Sequence, residues 1–500
     1  MPEEGFRPEA VAIRIAPAPP NRRRLVLAAC LMATSTAAVE SAIVATAMPT
    51  IVANLGGFNL FSWVFGVYLL TQAVGIPIYG RLSDIYGRKK VFCAGASLFL
   101  VGSLLCGFAT DMTMLILFRA LQGFGAGGVQ PVSTTILGDV YAPAERAHVQ
   151  GLVSSVFGVA AIVGPSLAAF LIERVGWQFV FWINLPIAAA AIVMIGVFLN
   201  ESVQHRPHRI DYLGSLLLLV AIAALMAVLV QGSSLPSRAT IAAAAIAIAT
   251  LLGLAMHERT TAEPMLPLEL WRSRIILVGS LGGAVISAVM MGVSAFLPTY
   301  VQGVMGGSAL EGGLVLGAMS VTWAVASFIG GRLMVRTTYR LTAVLGTVAL
   351  IAGSAVLITA APGVTLATIG SCLIGIGMGL CNTTFIVAIQ AAVPWHQRGA
   401  ATSSCMFLRF VGQSLGASAF GAVLNLTLLQ RAPDAAGMVD RLLDPVQRAG
   451  LPAAELTRLT DGLSLGLHNQ YLLAGVLSVV ALGFALVLPA KLSPTRDVQH

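Results

Sequence analysis

Residues 80–90 read Gly80-Arg81-Leu82-Ser83-Asp84-Ile85-Tyr86-Gly87-Arg88-Lys89-Lys90 and link two long apolar segments. The link is short, rich in basic residues and bounded by glycine, whereas the segments on both sides are almost free of charge. A basic turn between apolar runs is typical of a loop on the cytosolic face of a membrane protein. Its single acid, Asp84, can pair with basic residues or with a helix N-terminus across a helix interface, so we interpret this loop as a latch.

The composition of the chain indicates a membrane protein. Hydrophobic residues make up 57% and charged residues only 10% of the 500 positions, whereas soluble proteins have about 25% charged residues. The formal net charge is +8, but the basic residues are scattered over short loops without interleaved aromatics, so no nucleic-acid partner is expected. All six cysteines lie in apolar segments and indicate neither a disulfide framework nor a metal site.

Apolar runs long enough to cross a bilayer recur along the whole chain. The hydrocarbon core is about 30 Å thick and requires about 20 helical residues. On this criterion the sequence predicts fourteen spans, at 25–47, 60–80, 90–110, 113–136, 149–172, 178–199, 210–231, 238–256, 275–303, 309–334, 340–360, 363–389, 400–426 and 469–490. With both termini cytosolic, nearly all Lys and Arg residues of the short loops fall on the cytosolic side, as the positive-inside rule requires. We therefore expect a multi-pass protein of the cell inner (plasma) membrane.

The chain also contains a partial repeat, which predicts its domain organisation. Residues 331–340 follow the tenth span and keep the Gly-Arg-Leu sequence and a downstream arginine of residues 80–90. Two related six-helix bundles with two extra helices between them would explain this spacing, and secondary transporters built in this way bind substrate at the membrane midplane. The predicted fold is thus all-α. Its predicted parts are a cytosolic N-terminal tail (1–24), an N-terminal six-helix bundle (25–199), a linker with two additional transmembrane helices (200–272), a C-terminal six-helix bundle (273–490) with short amphipathic helices in an outside loop (427–468), and a cytosolic tail (491–500).

Three charged residues, Glu40, Arg119 and Arg409, lie in the interior of the predicted spans, whereas the other charged residues within the span limits lie at or next to their ends. An ionised side chain in hydrocarbon costs at least about 2.5 to 3.5 kcal/mol, so it is retained where it faces a partner, a cavity or water. Burial opposes ionisation of Glu40 and a nearby guanidinium would favour it, so this carboxyl can be poised to exchange a proton; permanent pairing with a neighbouring helix is the alternative. Arg119 cannot lose its charge and needs an acceptor, either in proton coupling or in permanent structural hydrogen bonds. For Arg409 a functional and a structural role both stay open.

Several stretches resemble the major facilitator superfamily, in particular its fourteen-helix drug:proton antiporter branch. Residues 80–90 match the superfamily signature Gly-x-Leu-x-Asp-x-x-Gly-Arg-Lys. Residues 40–49, 115–123, 158–165 and 177–186 are similar to patterns of that branch, and the resemblance covers nearly the whole chain. It implies a proton-coupled exporter of amphipathic organic compounds, that is, multidrug efflux.

The resemblance also implies roles for individual residues. Glu40 and Arg119 would couple proton transfer to transport, and Glu40 stands where the branch usually has Asp. The residues of the gating motif would be Gly80, Asp84, Gly87, Arg88 and Lys89. Those of the antiporter motif in the fifth span would be Gly158, Gly164 and Pro165.

Polar and aromatic side chains within the spans are the candidates for a substrate cavity. Aromatic rings and amides that face a water-filled cavity suit amphipathic organic molecules, often cationic ones. The same residue types also serve as packing or interfacial anchors. The candidates are Trp63, Tyr68, Gln72, Gln122, Gln302, Trp323, Asn382, Phe385 and Arg409.

The expected energy source follows from what the sequence lacks. It contains no Gly-x-x-x-x-Gly-Lys-Ser/Thr loop, and all seven histidines lie outside the predicted spans. We expect no catalytic residues, no metal and no cofactor, and a transporter driven by the proton gradient through Glu40. The expected partners are a small organic substrate, protons and the lipid bilayer, with a monomer as the functional unit. Proton-coupled uptake or export of a specific metabolite, organic anion or lipid is the first alternative, and a non-transporting membrane sensor is the second.

Replacing Asp84 by asparagine is expected to abolish transport while leaving folding and expression largely intact. The amide keeps the size of the side chain but removes the charge that the latch requires. Efflux of a dye from cells, normalised to the amount of protein in the membrane, measures this effect. Export close to the wild-type rate would contradict the interpretation of residues 80–90 as a latch.

Overall fold

The computed structural model describes residues 20–141, 143–201, 211–231, 236–261, 271–359, 363–393, 398–431 and 439–489. Nearly all of these residues are helical and none of them lies in a β-strand, as the all-α prediction requires. The predicted C-terminal tail and nearly all of the N-terminal one lie outside the described residues. The helices are α1 (Pro20–Leu55), α2 (Phe61–Tyr86), α3 (Arg88–Cys106), α4 (Met112–Val140), α5 (Pro143–Arg174), α6 (Phe179–Trp182), α7 (Asn184–Phe198), α8 (Tyr212–Gln231), α9 (Ser237–Thr260), α10 (Arg274–Thr299), α11 (Ala309–Arg336), α12 (Tyr339–Thr359), α13 (Val364–Ala391), α14 (Arg398–Arg431), α15 (Val439–Leu443), α16 (Pro445–Ala449) and α17 (Ala453–Val487).

Long apolar helices occupy the predicted spans. Thirteen helical stretches of the described chain are long and apolar enough to cross a membrane. The predicted fifth span, 149–172, lies within α5, which is not one of these thirteen, so the total of fourteen stays a prediction.

Two predicted boundaries differ from the structure. The predicted sixth span, 178–199, is interrupted at Ile183, which separates α6 from α7. The predicted outside loop 427–468 is largely helical in its described part, because α14 continues to Arg431 and α17 already begins at Ala453. The end of the predicted loop is part of α17, since Leu463 and Leu467 belong to the buried face of that helix.

Local sequence signals start several of these helices. The side chain of Asp111 accepts a hydrogen bond of 2.8 Å from the backbone N–H of Met114 and so caps α4. Ser308 and Glu311 form a reciprocal capping box at the start of α11. Between α2 and α3, Gly87 has a φ of +91°, a conformation that other residues rarely adopt. The chain therefore turns sharply there, and α3 begins at the next residue.

The helices form two bundles with the same internal pattern of contacts. In the first bundle, α4 packs on α2 and α3, while α1 packs on α5 and α7. In the second, α13 packs on α11 and α12, while α10 packs on α14 and α17. The bundles meet where α2 packs on α14 and α5 packs on α11; α8 contacts both α2 and α14, and α9 packs on α8. Two duplicated bundles with an extra helical pair would show this pattern, although the predicted residue limits of the parts stay predictions.

Asp440, in the short helix α15, ties the two bundles together at one end of the molecule, which we name the Asp440 end. Its carboxylate accepts hydrogen bonds of 3.2 Å each from the backbone N–H groups of Gly57 and Phe58, in the turn between α1 and α2. Burial raises the pKa of the Asp440 carboxyl, and the two N–H donors oppose that shift. The carboxylate is thus held in place by the turn that it caps.

Further contacts reinforce the Asp440 end. In α16, Arg448 donates hydrogen bonds of 3.0 and 2.9 Å to the carbonyl oxygens of Gln302 and Gly303, in the short π-helical segment Tyr300–Val304 that continues α10. The rings of Phe61 and Phe296, one from each bundle, stack with centroids 4.7 Å apart. The segment that contains α15 and α16 thus contacts both bundles and holds them together at this end.

We expect Asp440→Ala to loosen the Asp440 end, because two backbone N–H groups would lose their acceptor. Hydrogen bonds to a charged group contribute about 1.5–3 kcal/mol each. Asp440→Asn is the matched control. An amide of the same size retains an acceptor oxygen for these N–H groups, so it should be tolerated far better. Thermal unfolding of the purified variants in detergent measures the difference, and equal melting temperatures for wild type and Asp440→Ala would contradict it.

Candidate functional site

Glu40 of α1 and Arg119 of α4 form an ion pair inside the first bundle. Glu40 is 0% exposed and Arg119 is 2% exposed, and Nη1 of Arg119 contacts Oε1 of Glu40. Because α1 packs on α4, the two residues are in contact although they are 79 positions apart in the sequence. The structure therefore brings together the two residues predicted to couple protons.

Two amides and a hydroxyl complete this arrangement. Gln122 donates a hydrogen bond of 3.1 Å to Oε1 of Glu40, and Asn184 donates to Oε2 of the same carboxylate. The side-chain oxygen of Gln122 accepts from Arg119 at 2.8 Å, and its nitrogen also lies 3.1 Å from the hydroxyl of Ser103. We refer to Glu40, Ser103, Arg119, Gln122 and Asn184 as the Glu40 cluster.

The guanidinium of Arg119 makes further contacts with the first bundle. Its Nε donates a hydrogen bond of 3.3 Å to the backbone carbonyl of Val64. The ring of Tyr68, a predicted cavity residue, lies with its centroid 4.0 Å from Cζ of Arg119, and the ring of Phe181 lies at 5.9 Å. Cation–π contacts of this kind stabilise a buried guanidinium. Arg119 therefore has favourable partners besides the carboxylate.

The Glu40 cluster as it stands suits an ionised Glu40, and protonation would change its hydrogen bonds. An ionised carboxylate uses all three donors, from Arg119, Gln122 and Asn184. A protonated carboxyl would become a donor itself and keep one acceptor oxygen. Arg119 would then still contact the oxygen of Gln122, the carbonyl of Val64 and the ring of Tyr68. Protonation would thus weaken the link between α1 and α4 without leaving the arginine isolated.

Sequence reasoning misses Asn184 and Ser103. Neither is charged, so neither stands out within an apolar run. Pro186, two positions after Asn184, indicates that a helix starts nearby. Proline is accepted in the first turn of a helix, because backbone N–H groups there have no intrahelical partner. That signal predicts a helix start near Asn184, which is where α7 begins.

Arg88, of the predicted gating motif, is buried at the start of α3 and pairs with two acids. Its Nε lies 2.8 Å from Oδ2 of Asp139 in α4, and its Nη1 lies 3.8 Å from Oε1 of Glu201. Glu201 also accepts from the backbone N–H groups of Arg88 and Lys89, at 2.8 and 3.0 Å. A carboxylate is favourable at a helix N-terminus. Asp139 and Glu201, which sequence reasoning misses, therefore hold this loop to its own bundle.

For Gly80 and Asp84, two other residues of the predicted gating motif, the described residues show no contact that supports a role in gating. A Cβ on Gly80 would meet no atom within 4 Å, so this position tolerates a side chain sterically. The side chain of Asp84 lies outside the described part of the structure, and its role as a latch stays a prediction.

The predicted antiporter motif lies on α5, between α1 and the second bundle. A Cβ on Gly164 would stand 2.9 Å from Cβ of Ala42 in α1, so glycine permits a close approach next to Glu40. A Cβ on Gly313 of α11 would stand 2.9 Å from Cβ of Pro165. The surroundings of Gly158 lie outside the described part. The position of α5 thus connects the neighbourhood of Glu40 with the other bundle.

The remaining cavity candidates lie on both bundles. Gln302 donates a long hydrogen bond of 3.5 Å to the backbone carbonyl of Thr46 in α1, so it joins the bundles near the Asp440 end. Gln122, which is predicted to line the cavity, lies in the Glu40 cluster. The others lie on α2 (Trp63, Gln72), α11 (Trp323), α13 (Asn382, Phe385) and α14 (Arg409). Their contact with substrate stays a prediction.

Two packed bundles of membrane-length helices, with a charged cluster enclosed in one of them, are the architecture of a multi-pass membrane transporter. Residues 26–417 match the sequence profile of the Major Facilitator Superfamily, and the chain belongs to that superfamily. It is 31% identical over 478 residues to Multidrug resistance protein 3 of Bacillus subtilis (strain 168), which covers 92% of this chain and 93% of that protein. It is 32% identical over 410 residues to Multidrug transporter protein MdtP of the same organism, with coverages of 81% and 76%.

Solved structures share the fold. A bacterial homologue of the human lysosomal transporter Spinster, in an inward-facing and unoccupied conformation, superimposes with a TM-score of 0.68 at 17% identity and covers 94% of this chain and 97% of that one. The chain is therefore a transporter of small substrates with the fold of this superfamily.

Proposed function

We propose that the protein is a proton-driven exporter of amphipathic organic compounds that works by alternating access. The observation that carries this proposal is the Glu40 cluster. Its carboxylate is the only acid away from the ends of the predicted spans, is fully buried and accepts hydrogen bonds from α4 and α7. Such a carboxyl is placed to change its protonation state together with the packing of the helices around it.

Proton binding at Glu40 would reach the interface between the bundles through α1. This helix carries Glu40, contacts the partners of Glu40 on α4 and α7, and also packs on α10 and α11 of the second bundle. Neutralising the carboxylate removes its attraction to Arg119 and one acceptor site for the amides. Proton binding and substrate binding would then favour different arrangements of the two bundles, as exchange of a proton for a substrate requires.

The distribution of basic residues supports an orientation in the membrane. The N-terminus of α1 and the start of α3 carry Arg23 and Arg88 and would face the cytosol, which would place the Asp440 end outside a plasma membrane. The hydrogen bonds of Asp440 and Arg448 would then belong to a closed outer gate. In this proposal the functional unit is a monomer, and the proton gradient replaces any cofactor.

The relatives support multidrug export over uptake, because Multidrug resistance protein 3 and Multidrug transporter protein MdtP match most of the chain. A decisive experiment expresses the protein in cells that lack their own pumps and measures resistance and dye efflux for cationic, neutral and anionic compounds. We expect export that a protonophore abolishes. Accumulation of the compounds would show uptake, and the absence of flux in purified, reconstituted protein would favour a sensor.

A further inference from the structure

Arg409 is a partly exposed arginine in the interior of a predicted span, and its surroundings differ from those of Arg119. Its side chain packs along α10, where a Cβ on Gly283 would stand 3.5 Å from Cγ of Arg409. Its Nε reaches the hydroxyl of Ser287 only at 3.5 Å. Among the residues that the structure describes, no carboxylate forms an ion pair with it. The positive charge of Arg409 is thus weakly compensated.

We infer that the exposed part of the Arg409 side chain faces the interior between helices and not the lipid. Arg409 is partly exposed, yet α14 is flanked by protein, namely by α2, α8, α10, α13 and α17. A guanidinium that pointed into lipid would be strongly unfavourable. Its free side therefore faces the space between helices, where a substrate could reach it.

Helix α13 packs on the same part of α10 through Phe385, and Asn382 stands three positions before Phe385 on α13. Phe385, one turn further along α13, packs on α10 where a Cβ on Gly282 would stand 2.8 Å from Cζ of its ring. Asn382 is 5% exposed, and neither its amide nitrogen nor its amide oxygen has a hydrogen-bond partner in the described chain. Buried amides are normally hydrogen-bonded, so this side chain has capacity for a ligand.

Asn382 and Arg409 also lie at the same depth. Asn382 stands 9 residues before the last residue of α13, and Arg409 stands 11 residues after the first residue of α14. At about 1.5 Å per residue these positions are about 14 and 16 Å from the end at which the two helices are linked. A guanidinium and an unpaired amide therefore flank one segment of α10 near the middle of the second bundle.

We propose that Arg409 and Asn382 form an anion subsite, so that the preferred substrates are amphipathic compounds that carry a carboxylate or a similar acidic group. The guanidinium would supply two parallel N–H donors to the carboxylate, and Asn382 would donate to the same group or to a neighbouring oxygen. Charge balance supports this, since Glu40, Arg119 and Arg409, the charged residues in the interior of the predicted spans, together carry a net charge of +1. This inference rests on the proposed export function and names its substrate class.

The test is equilibrium binding to the purified full chain in detergent, measured by fluorescence anisotropy. The probes are fluorescein, an anionic xanthene dye, and rhodamine 123, a cationic dye with the same ring system. Wild type should bind fluorescein more tightly. Arg409→Gln should weaken fluorescein binding about tenfold or more, as expected for loss of a charge-assisted hydrogen bond, and leave rhodamine 123 unaffected. Arg409→Lys should restore part of the affinity.

Arg238→Gln is the matched control, because it removes the same charge from an exposed position at the start of α9. Unchanged fluorescein affinity in Arg409→Gln, or tighter binding of rhodamine 123 by wild type, would overturn the proposal. If Arg409→Gln does not fold, Asn382→Leu is the deciding variant. It should bind fluorescein more weakly than wild type, and an affinity equal to that of wild type would reject the subsite. Proton coupling is tested separately, because the loss of driven flux in Glu40→Gln reports on Glu40, whereas the preference for fluorescein over rhodamine 123 reports on Arg409.

Discussion

Glu40→Gln is expected to reduce proton-driven transport to the level of protein-free vesicles while the variant still folds and binds substrate. Glutamine keeps the length of the side chain and an acceptor oxygen for Asn184, but it neither takes up nor releases a proton. Reconstituted vesicles with an imposed pH gradient measure driven transport of a labelled compound. Counterflow of the same compound without a gradient should persist, because exchange of substrate requires no net proton movement.

Glu40→Asp is the matched control for this experiment. It keeps a titratable carboxyl, and the branch of the superfamily that the sequence resembles usually has Asp at this position. The shorter side chain lengthens the contacts with Arg119 and Asn184, so we expect reduced but proton-dependent transport. Undiminished uphill transport by Glu40→Gln, or insensitivity of the wild-type protein to a protonophore, would remove Glu40 from the mechanism.

The charged members of the Glu40 cluster could be predicted from sequence, whereas Ser103 and Asn184 could not. An ionised side chain in an apolar run is costly, so Glu40 and Arg119 are conspicuous without any structure. Ser103 and Asn184 are uncharged, so no comparable free-energy cost marks them as unusual within an apolar run. Their place beside Glu40 depends on how α3 and α7 pack within the bundle, which periodicity alone does not determine.

The same limit applies to the ends of the molecule. Apolar runs predict where helices cross the membrane, but α17 begins at Ala453 in a stretch with charged residues such as Glu455 and Asp461. Considered alone, those charges indicate a loop. They are nevertheless compatible with a helix, because the turns of a helix that extend beyond the membrane carry polar residues. The hydrogen bonds of Asp440 with Gly57 and Phe58 join positions more than 380 residues apart, and no local pattern predicts them.

Arg119→Leu is expected to destabilise the folded protein by about 3–5 kcal/mol, because it leaves the carboxylate of Glu40 buried without its counter-charge. The double variant Glu40→Gln/Arg119→Leu should recover most of that loss, since neither charge then remains in the bundle. Thermal unfolding and the monodisperse fraction after size-exclusion chromatography measure both effects. Arg238→Leu, at an exposed position of α9, should change stability by no more than about 0.5 kcal/mol.

Comparing the single and double variants separates two roles of Arg119. If its main function in the fold is to compensate Glu40, the two substitutions are strongly non-additive, and the double variant is stable but does not transport against a gradient. If the double variant is as unstable as Arg119→Leu, then Arg119 stabilises the bundle chiefly through Val64, Tyr68 and Gln122. In that case protonation of Glu40 would not change the position of α4. The movement of α1 on proton binding would then depend on the hydrogen bond between Glu40 and Asn184 of α7.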